Sequence, residues 1–232
     1  MDQDPGGQPE RAGDKDIQGD QVYRLRVVLA GISPLIWRQL DVAASTTLAG
    51  LHRILQIAFG WSGEHLHRFT VRGVDYRAYE GQRPLDGKDA GRVTLAGLGL
   101  RISERLTYDY AFFSNLCTWR HDLRVQAIEP ARPNRSYPWC SGGARSAPPE
   151  DCGGPQAFLA LRQQHSPWAA TVRMAELMRP LLDAPPGETV RSALGQDALD
   201  ELPELLYWAR TGTFAKAAVN AALAALCRKD TP

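Results

Sequence analysis

The sequence predicts an α+β domain: a mostly antiparallel sheet with a packed helix, followed by a helical C-terminal region. Three observations predict it. Several segments before residue 130 alternate apolar and polar residues at the period of a strand, and the apolar spacing turns helical after Pro155. The two patterns also follow one another rather than interleave, which points away from a doubly wound α/β fold. A chain of 232 residues can bury a sizeable core, and one compact unit over residues 21–226 is the expectation. No repeat at the periods of solenoids or propellers is visible.

Residues 1–20 are polar, acidic and rich in Gly and Pro, the composition of a disordered tail. From Tyr23 the pattern changes. Tyr23, Leu25, Val27 and Leu29 alternate with Arg24 and Arg26, and residues 36–42, IWRQLDV, supply a second strand and hairpin partner beyond a turn at Gly31, Ser33 and Pro34. Ser45, Thr46 and Thr47 offer N-cap hydroxyls to a helix with Leu48, Leu51, Ile54, Leu55, Ala58 and Phe59 on its apolar side, ended by Gly60. His65, His67, Phe69 and Val71 then share one face of an alternating segment.

After a Gly-rich, charged stretch, strands are expected around residues 105–112 and over 119–129, where Trp119, His121, Leu123, Val125 and Ala127 share a side. Six prolines between residues 130 and 155 predict a loop. Helices are expected over 158–162, 168–182, 197–210 and 216–226, with breaks at Pro185-Pro186-Gly187 and Gly212.

The formal charge is +1, with a local −4 in the first twenty residues that leaves the remainder at +5. That balance is too mild to require nucleic acid or an anionic membrane, since strong polyanion binders show a basic stripe. No apolar run approaches the ~20 residues of a membrane helix, and the N-terminus lacks a signal-peptide pattern. A soluble cytoplasmic protein is expected, with Cys117, Cys140, Cys152 and Cys227 as free thiols.

Four stretches in order, YRLRVVLAGISPLIWRQLDV, TLAGLHRILQIAFGWSGEHLHRF, WRHDLRVQAIEP and YPWCSGGARSAPPEDCGGPQAF, resemble the plasmid pRiA4b ORF-3-like family. The family is met also as the "TnpR" passenger protein of an insertion element, and the ending FAKAAVNAALA resembles that branch. The resemblance covers roughly residues 21–226 and implies an α+β domain associated with plasmids and mobile elements, with no established biochemical activity. Resolvase activity is not expected. A serine recombinase needs a nucleophilic serine near its N-terminus amid catalytic arginines and a separate helix-turn-helix, and the chain offers neither. Many members carry an Asp-Phe-Gly-Asp-x-Trp-x-His motif before the tryptophan strand; here Ala111 and Ser114 stand where acids often sit, while Trp119 and His121 are kept.

Four constellations are candidates for chemistry. His65, His67 and His121, with Cys140 and Cys152, could supply imidazole and thiolate to a divalent metal, although alternating His-Leu-His is also an ordinary strand face. Glu150 and Asp151 could be metal ligands or an acid/base couple. The local alternative makes Pro148-Pro149 a stiff approach, has Asp151 or a neighbour cap a helix start, and places Pro155 in the first helical turn. An anion at the Gly153-Gly154 helix start is opposed by the two acids just upstream. Finally, Trp37, Trp61, Trp119 and Trp139 with Tyr23, Tyr108, Tyr110 and Tyr137 could stack bases, but the strand patterns predict burial for Trp37 and Trp119. Arg24, Arg26, Arg38, Arg53, Arg68, Arg72 and Arg124 could cluster on a sheet face.

The reading that follows is an accessory protein of a plasmid or mobile element, a non-catalytic binding domain for protein or nucleic acid. The alternative is a metal-dependent enzyme using His65, His67 and His121 with Glu150 or Asp151, Cys152 being a further candidate ligand.

Overall fold

A computed structural model describes residues 21–77, 87–111 and 118–229. The expected tail, Ser114 and Cys117 lie outside the described residues. The first hairpin forms as the alternation requires: β1 (Gln21–Leu29) pairs antiparallel with β2 (Trp37–Ala43). α1 (Leu48–Phe59) follows, its N-terminus capped by Thr47, whose hydroxyl accepts from the Gly50 amide at 3.0 Å. Gly60 ends it in the left-handed region at φ 73°, a conformation that suits glycine, and returns its amide to the carbonyls of Gln56 and Ile57.

β3 (His67–Val71), β4 (Val74–Arg77), a two-residue β5 (Lys88–Asp89) and the one-turn helix α2 (Leu95–Leu98) come next. The sequence shows only a charged, Gly-rich stretch over most of this segment. Short elements leave few periods to read, and α2 is held by backbone bonds from Leu95 and Ala96 to the carbonyls of Thr46 and Ala44, a tertiary contact. β6 (Arg105–Tyr110), β7 (Trp119–Pro130) and β8 (Trp139–Ala144) complete a sheet of eight strands in the order β5-β4-β3-β6-β7-β1-β2-β8. Every pairing is antiparallel except β4 with β5.

One face of the sheet carries Leu25, Val27, Leu29, Leu40, Val42, Phe69, Val71, Leu106, Tyr108, Tyr110, Trp119, Leu123 and Val125, all buried with the apolar side of α1 in one core. Three local expectations need correction. The proline-rich segment contains β8: its prolines flank the strand rather than enter it, and an edge strand bonds on one side only. Ile128, not Ala127, packs on the core, because the register against β1 shifts between Arg24 and Leu25 and skips Gln126, turning the end of β7 over. In β2 the phase places Arg38 on the covered face opposite Val27, and Trp37 on the other face opposite Val28.

The C-terminal helices are α3 (Gly154–Gln164), α4 (Pro167–Met178), α5 (Pro180–Asp183), α6 (Val190–Arg210) and α7 (Lys216–Lys229). α3 attaches through buried Phe158, stacked on Trp208 of α6 at 6.2 Å between centroids. α6 is kinked at Gly195. α7 lies along β8, where Asn220 gives its side-chain amide to the Cys140 carbonyl and accepts from the Cys140 amide, at 3.0 and 2.8 Å. No helix among the described residues is long and apolar enough to cross a membrane.

Candidate functional site

Of the candidate histidines, His67 on β3 and His121 on β7 meet α1. His67 is buried and its ring lies flat on that of His52, centroids 3.6 Å apart and 4° from parallel. His52 and Gln56, one helical turn apart on α1, both reach the buried hydroxyl of Tyr108, at 2.6 and 2.7 Å. His121 is completely buried, edge-on to Phe59 at 4.6 Å and to Trp61 at 5.2 Å.

Nε2 of His67 and both ring nitrogens of His121 have no hydrogen-bond partner among the described residues. The carbonyls of Tyr108 and Trp119 favour charge on His121 without completing a bond. Burial outweighs them and holds all three imidazoles neutral: it lowers His52 to about 3, with His67 and Arg53 adding to the effect, lowers His67 to about 4 and His121 to about 3. Burial likewise pushes the Tyr108 hydroxyl well up.

His65 stands outside this cluster, before β3 begins, and its Nε2 meets Oδ1 of Asp151 at 2.9 Å. The pair is open to water, with 78% of the Asp151 side chain exposed. Glu150 turns inward instead. Its carboxylate accepts the Ser62 amide at 3.0 and 3.1 Å and the Tyr110 hydroxyl at 2.9 Å, while Tyr110 accepts the Gly63 amide at 3.1 Å. The same strap takes the two indole N–H groups: Trp119 donates to the Glu150 carbonyl and Trp61 to the Pro148 carbonyl, both at 2.8 Å. Cys152, half-buried against the core, has its thiol pushed up by burial.

The acids therefore do not cap α3, whose N-cap is Gly153 at φ 91° with no side-chain cap bond. They fasten residues 61–65 over the aromatic cluster. His65 and Asp151 come together, but His67 and His121 face aromatic rings and α1. Among the described residues no group of three or more His, Cys, Asp or Glu side chains is placed to hold a metal ion. Buried Cys140 belongs to β8, bonded to the Gly142 carbonyl at 3.3 Å. Ala111 is buried at the end of β6 in the left-handed region, φ 56°. The residues that sequence reasoning missed are His52 and Gln56. Their signal is the helical period itself, which places both beside Leu48, Leu51, Leu55 and Phe59.

The opposite face of the sheet is different in kind. Arg24, Arg26, Arg68 and Arg124 lie on it together with Arg105 and Arg120, whereas Arg38 points into the core, Arg53 is exposed on α1, and Arg72 sits at the β3–β4 turn bound to Glu104. Arg38 is 2% exposed and donates to the carbonyls of Ala58, Trp37 and Ala144, and burial lowers it to about 10.

On the open face Arg24 pairs with Asp41 and Glu129, and Arg68 and Arg120 pair with Asp109. Burial would raise the Asp109 carboxyl, but the hydrogen bonds from Arg120 and Arg68 outweigh it and hold it below the usual range. Arg105, Arg124 and Arg26 stand directly opposite one another across β6, β7 and β1. Arg124 donates to the Ser103 hydroxyl at 3.0 Å and Arg26 lies over the Trp37 ring at 4.1 Å from its centroid. Trp37, expected to be buried, is part of this surface.

Comparison with known proteins agrees with the fold. The family model of the plasmid pRiA4b ORF-3-like protein matches residues 21–172. The uncharacterized protein y4hQ of Sinorhizobium fredii is 28% identical over 140 residues, which cover 59% of this chain and 69% of that protein. A protein of unknown function from Methanosarcina mazei, MM3350, has a crystal structure that covers 85% of this chain and 96% of its own, with a TM-score of 0.59 at 22% identity. That likeness is one of fold.

Proposed function

We propose that this chain, which belongs to the plasmid pRiA4b ORF-3-like family, is a non-catalytic binding domain for a macromolecular partner, protein or nucleic acid, in the service of a plasmid or mobile element. The observation that carries the reading is the open sheet face. Arg105, Arg124 and Arg26 occupy one cross-strand row with no carboxylate partner among the described residues, beside the half-buried tryptophan Trp37. Like charges directly opposite on a sheet are destabilising, so such a row is favoured by an anionic partner. The opposite side supports the same reading, since His52, His67 and His121, which burial holds neutral, are enclosed by α1 and the strap at Glu150 rather than lining a cleft.

The test uses a generic polyanion. The protein is expected to be retained on immobilised heparin at low salt and released by added salt, with Arg124→Glu released much earlier. Passage without retention at low salt would remove the reading.

The alternative is a divalent metal held by His65 and Asp151, the two candidate ligands that meet. The 2.9 Å contact of His65 with Asp151 is the geometry that favours it. It predicts stoichiometric zinc or manganese on elemental analysis, lost in both His65→Ala and Asp151→Ala.

A further inference from the structure

We propose that the open sheet face binds single-stranded nucleic acid, with phosphates along Arg105, Arg124 and Arg26 and a base stacked on the Arg26–Trp37 layer. This rests on the reading of that face as the docking surface and names its occupant.

The first support is where charge is spent. The same face contains carboxylates that neutralise neighbouring arginines in register: Asp41 lies opposite Arg24 and Asp109 opposite Arg120. The row formed by Arg105, Arg124 and Arg26 is left out of this pairing. Neighbouring strands are about 4.8 Å apart, so the row runs roughly 10 Å across β6, β7 and β1. Asp122 lies one row away, opposite Thr107 and Val28. It adds to the groups that favour charge on Arg120. A polyanion is therefore steered across the strands along the arginine row rather than along β7.

The second support is a prepared stacking surface. Gly142 makes room for Trp37: a Cβ there would lie 3.3 Å from the ring carbon Cη2. The indole thus settles on β8, and the Arg26 guanidinium covers it at 4.1 Å. A guanidinium held over an aromatic ring offers its own plane to a base and keeps its N–H edges for phosphate, a combination used in recognition of unpaired strands. A duplex is the poorer ligand. Its bases are read by an element that enters a groove, and this face is a sheet surface of alternating strand side chains. An acidic protein would satisfy the arginines but leave the planar Arg26–Trp37 layer unused.

The test is fluorescence anisotropy of the full chain with labelled pyrimidine oligonucleotides, DNA and RNA, set against a duplex of equal length, heparin and poly-glutamate. Single strands are expected to bind at least tenfold more tightly than the duplex, with a log–log salt slope of about −2 for three phosphate contacts. Arg124→Glu should weaken every polyanion, while the equal charge change Arg53→Glu, on the far side of the sheet, should not.

Trp37→Leu should weaken the oligonucleotide about ten- to hundredfold and leave heparin unchanged. Trp37→Met provides the same comparison if Trp37→Leu does not fold. Equal or tighter duplex binding, parallel loss of heparin and oligonucleotide in the Trp37 variants, or poly-glutamate bound as well as oligonucleotide would overturn the nucleic-acid assignment and leave the docking face standing. No binding to any of these polyanions would overturn both.

Discussion

The Tyr110 hydroxyl donates to Oε2 of Glu150 at 2.9 Å while accepting the Gly63 amide at 3.1 Å, so one phenol joins the sheet, the strap after Pro149 and the loop between α1 and β3. Glu150 also accepts the Ser62 amide. Removing it leaves amide and hydroxyl donors unpaired, whereas removing Asp151 breaks only an exposed contact. Glu150→Ala is expected to cost about 1–3 kcal/mol, and Asp151→Asn less than about 1 kcal/mol. Thermal unfolding separates the two, at about 2–4 °C per kcal/mol for a chain of this size. Equal effects would contradict the structural role given to Glu150.

Asn220 acts as a short stand-in for a further strand, bonding both the amide and the carbonyl of Cys140 on β8. Asn220→Asp keeps the acceptor but places a carboxylate against the Cys140 carbonyl, and Asn220→Ala removes both bonds. Both substitutions are expected to destabilise by about 1–3 kcal/mol, and Asn220→Ala to speed hydrogen exchange at the Cys140 amide. An unchanged exchange rate in Asn220→Ala would refute the pairing.

Gly143 leaves space for Phe214, whose Cδ1 would lie 2.6 Å from an added Cβ and whose ring stacks on the buried Arg38 guanidinium at 4.0 Å. Gly143→Ala must therefore displace the ring that leads into α7. A loss of about 1–3 kcal/mol is expected, with partial recovery in the double variant Gly143→Ala, Phe214→Leu. Additive effects in that cycle would mean that the ring is not the obstacle.

Low pH should undo the core through its histidines. His52, His67 and His121 are lowered to about 3, 4 and 3, so the folded chain excludes protons that the unfolded chain binds below about 6.5. Their contribution is complete above that pH and is lost as pH falls toward the folded values, each group adding up to about 1.4 kcal/mol per pH unit. Urea midpoints are expected to fall steeply from pH 6.5 to pH 4.5. The fall should be shallower in His67→Gln, provided the variant folds, and a flat profile would refute neutral burial.

Much of the fold is legible because the period of the chain reports which side faces the core. The β1 alternation, the Thr47 cap, the Gly60 stop and the Trp119-to-Val125 face are each set within a few residues. The failures share a cause. Gln126 shifts the register of β7, β8 pairs through a proline-rich segment, and the phase of β2 turns Arg38 inward, where three carbonyls, two of them beyond its own strand hairpin, receive it. Apart from the Trp37 carbonyl, none of these partners is local. For the candidate site, the sequence brought His65, His67, His121, Glu150 and Asp151 forward, but it could not distinguish an exposed His65–Asp151 contact from an enclosed His121, because solvent exclusion is made by elements distant in the chain.

The sequence by itself determined the α+β class, the strand and helix identities of the longer elements, and the motifs that mark the family, since these depend on short-range spacing and on residue type. Tertiary structure alone decided that Glu150 fastens a loop, that His52 joins His67 in the core, and that three arginines fall into one row. Those outcomes depend on the register between strands, and register is fixed by burying one whole face of the sheet at once rather than by any single segment.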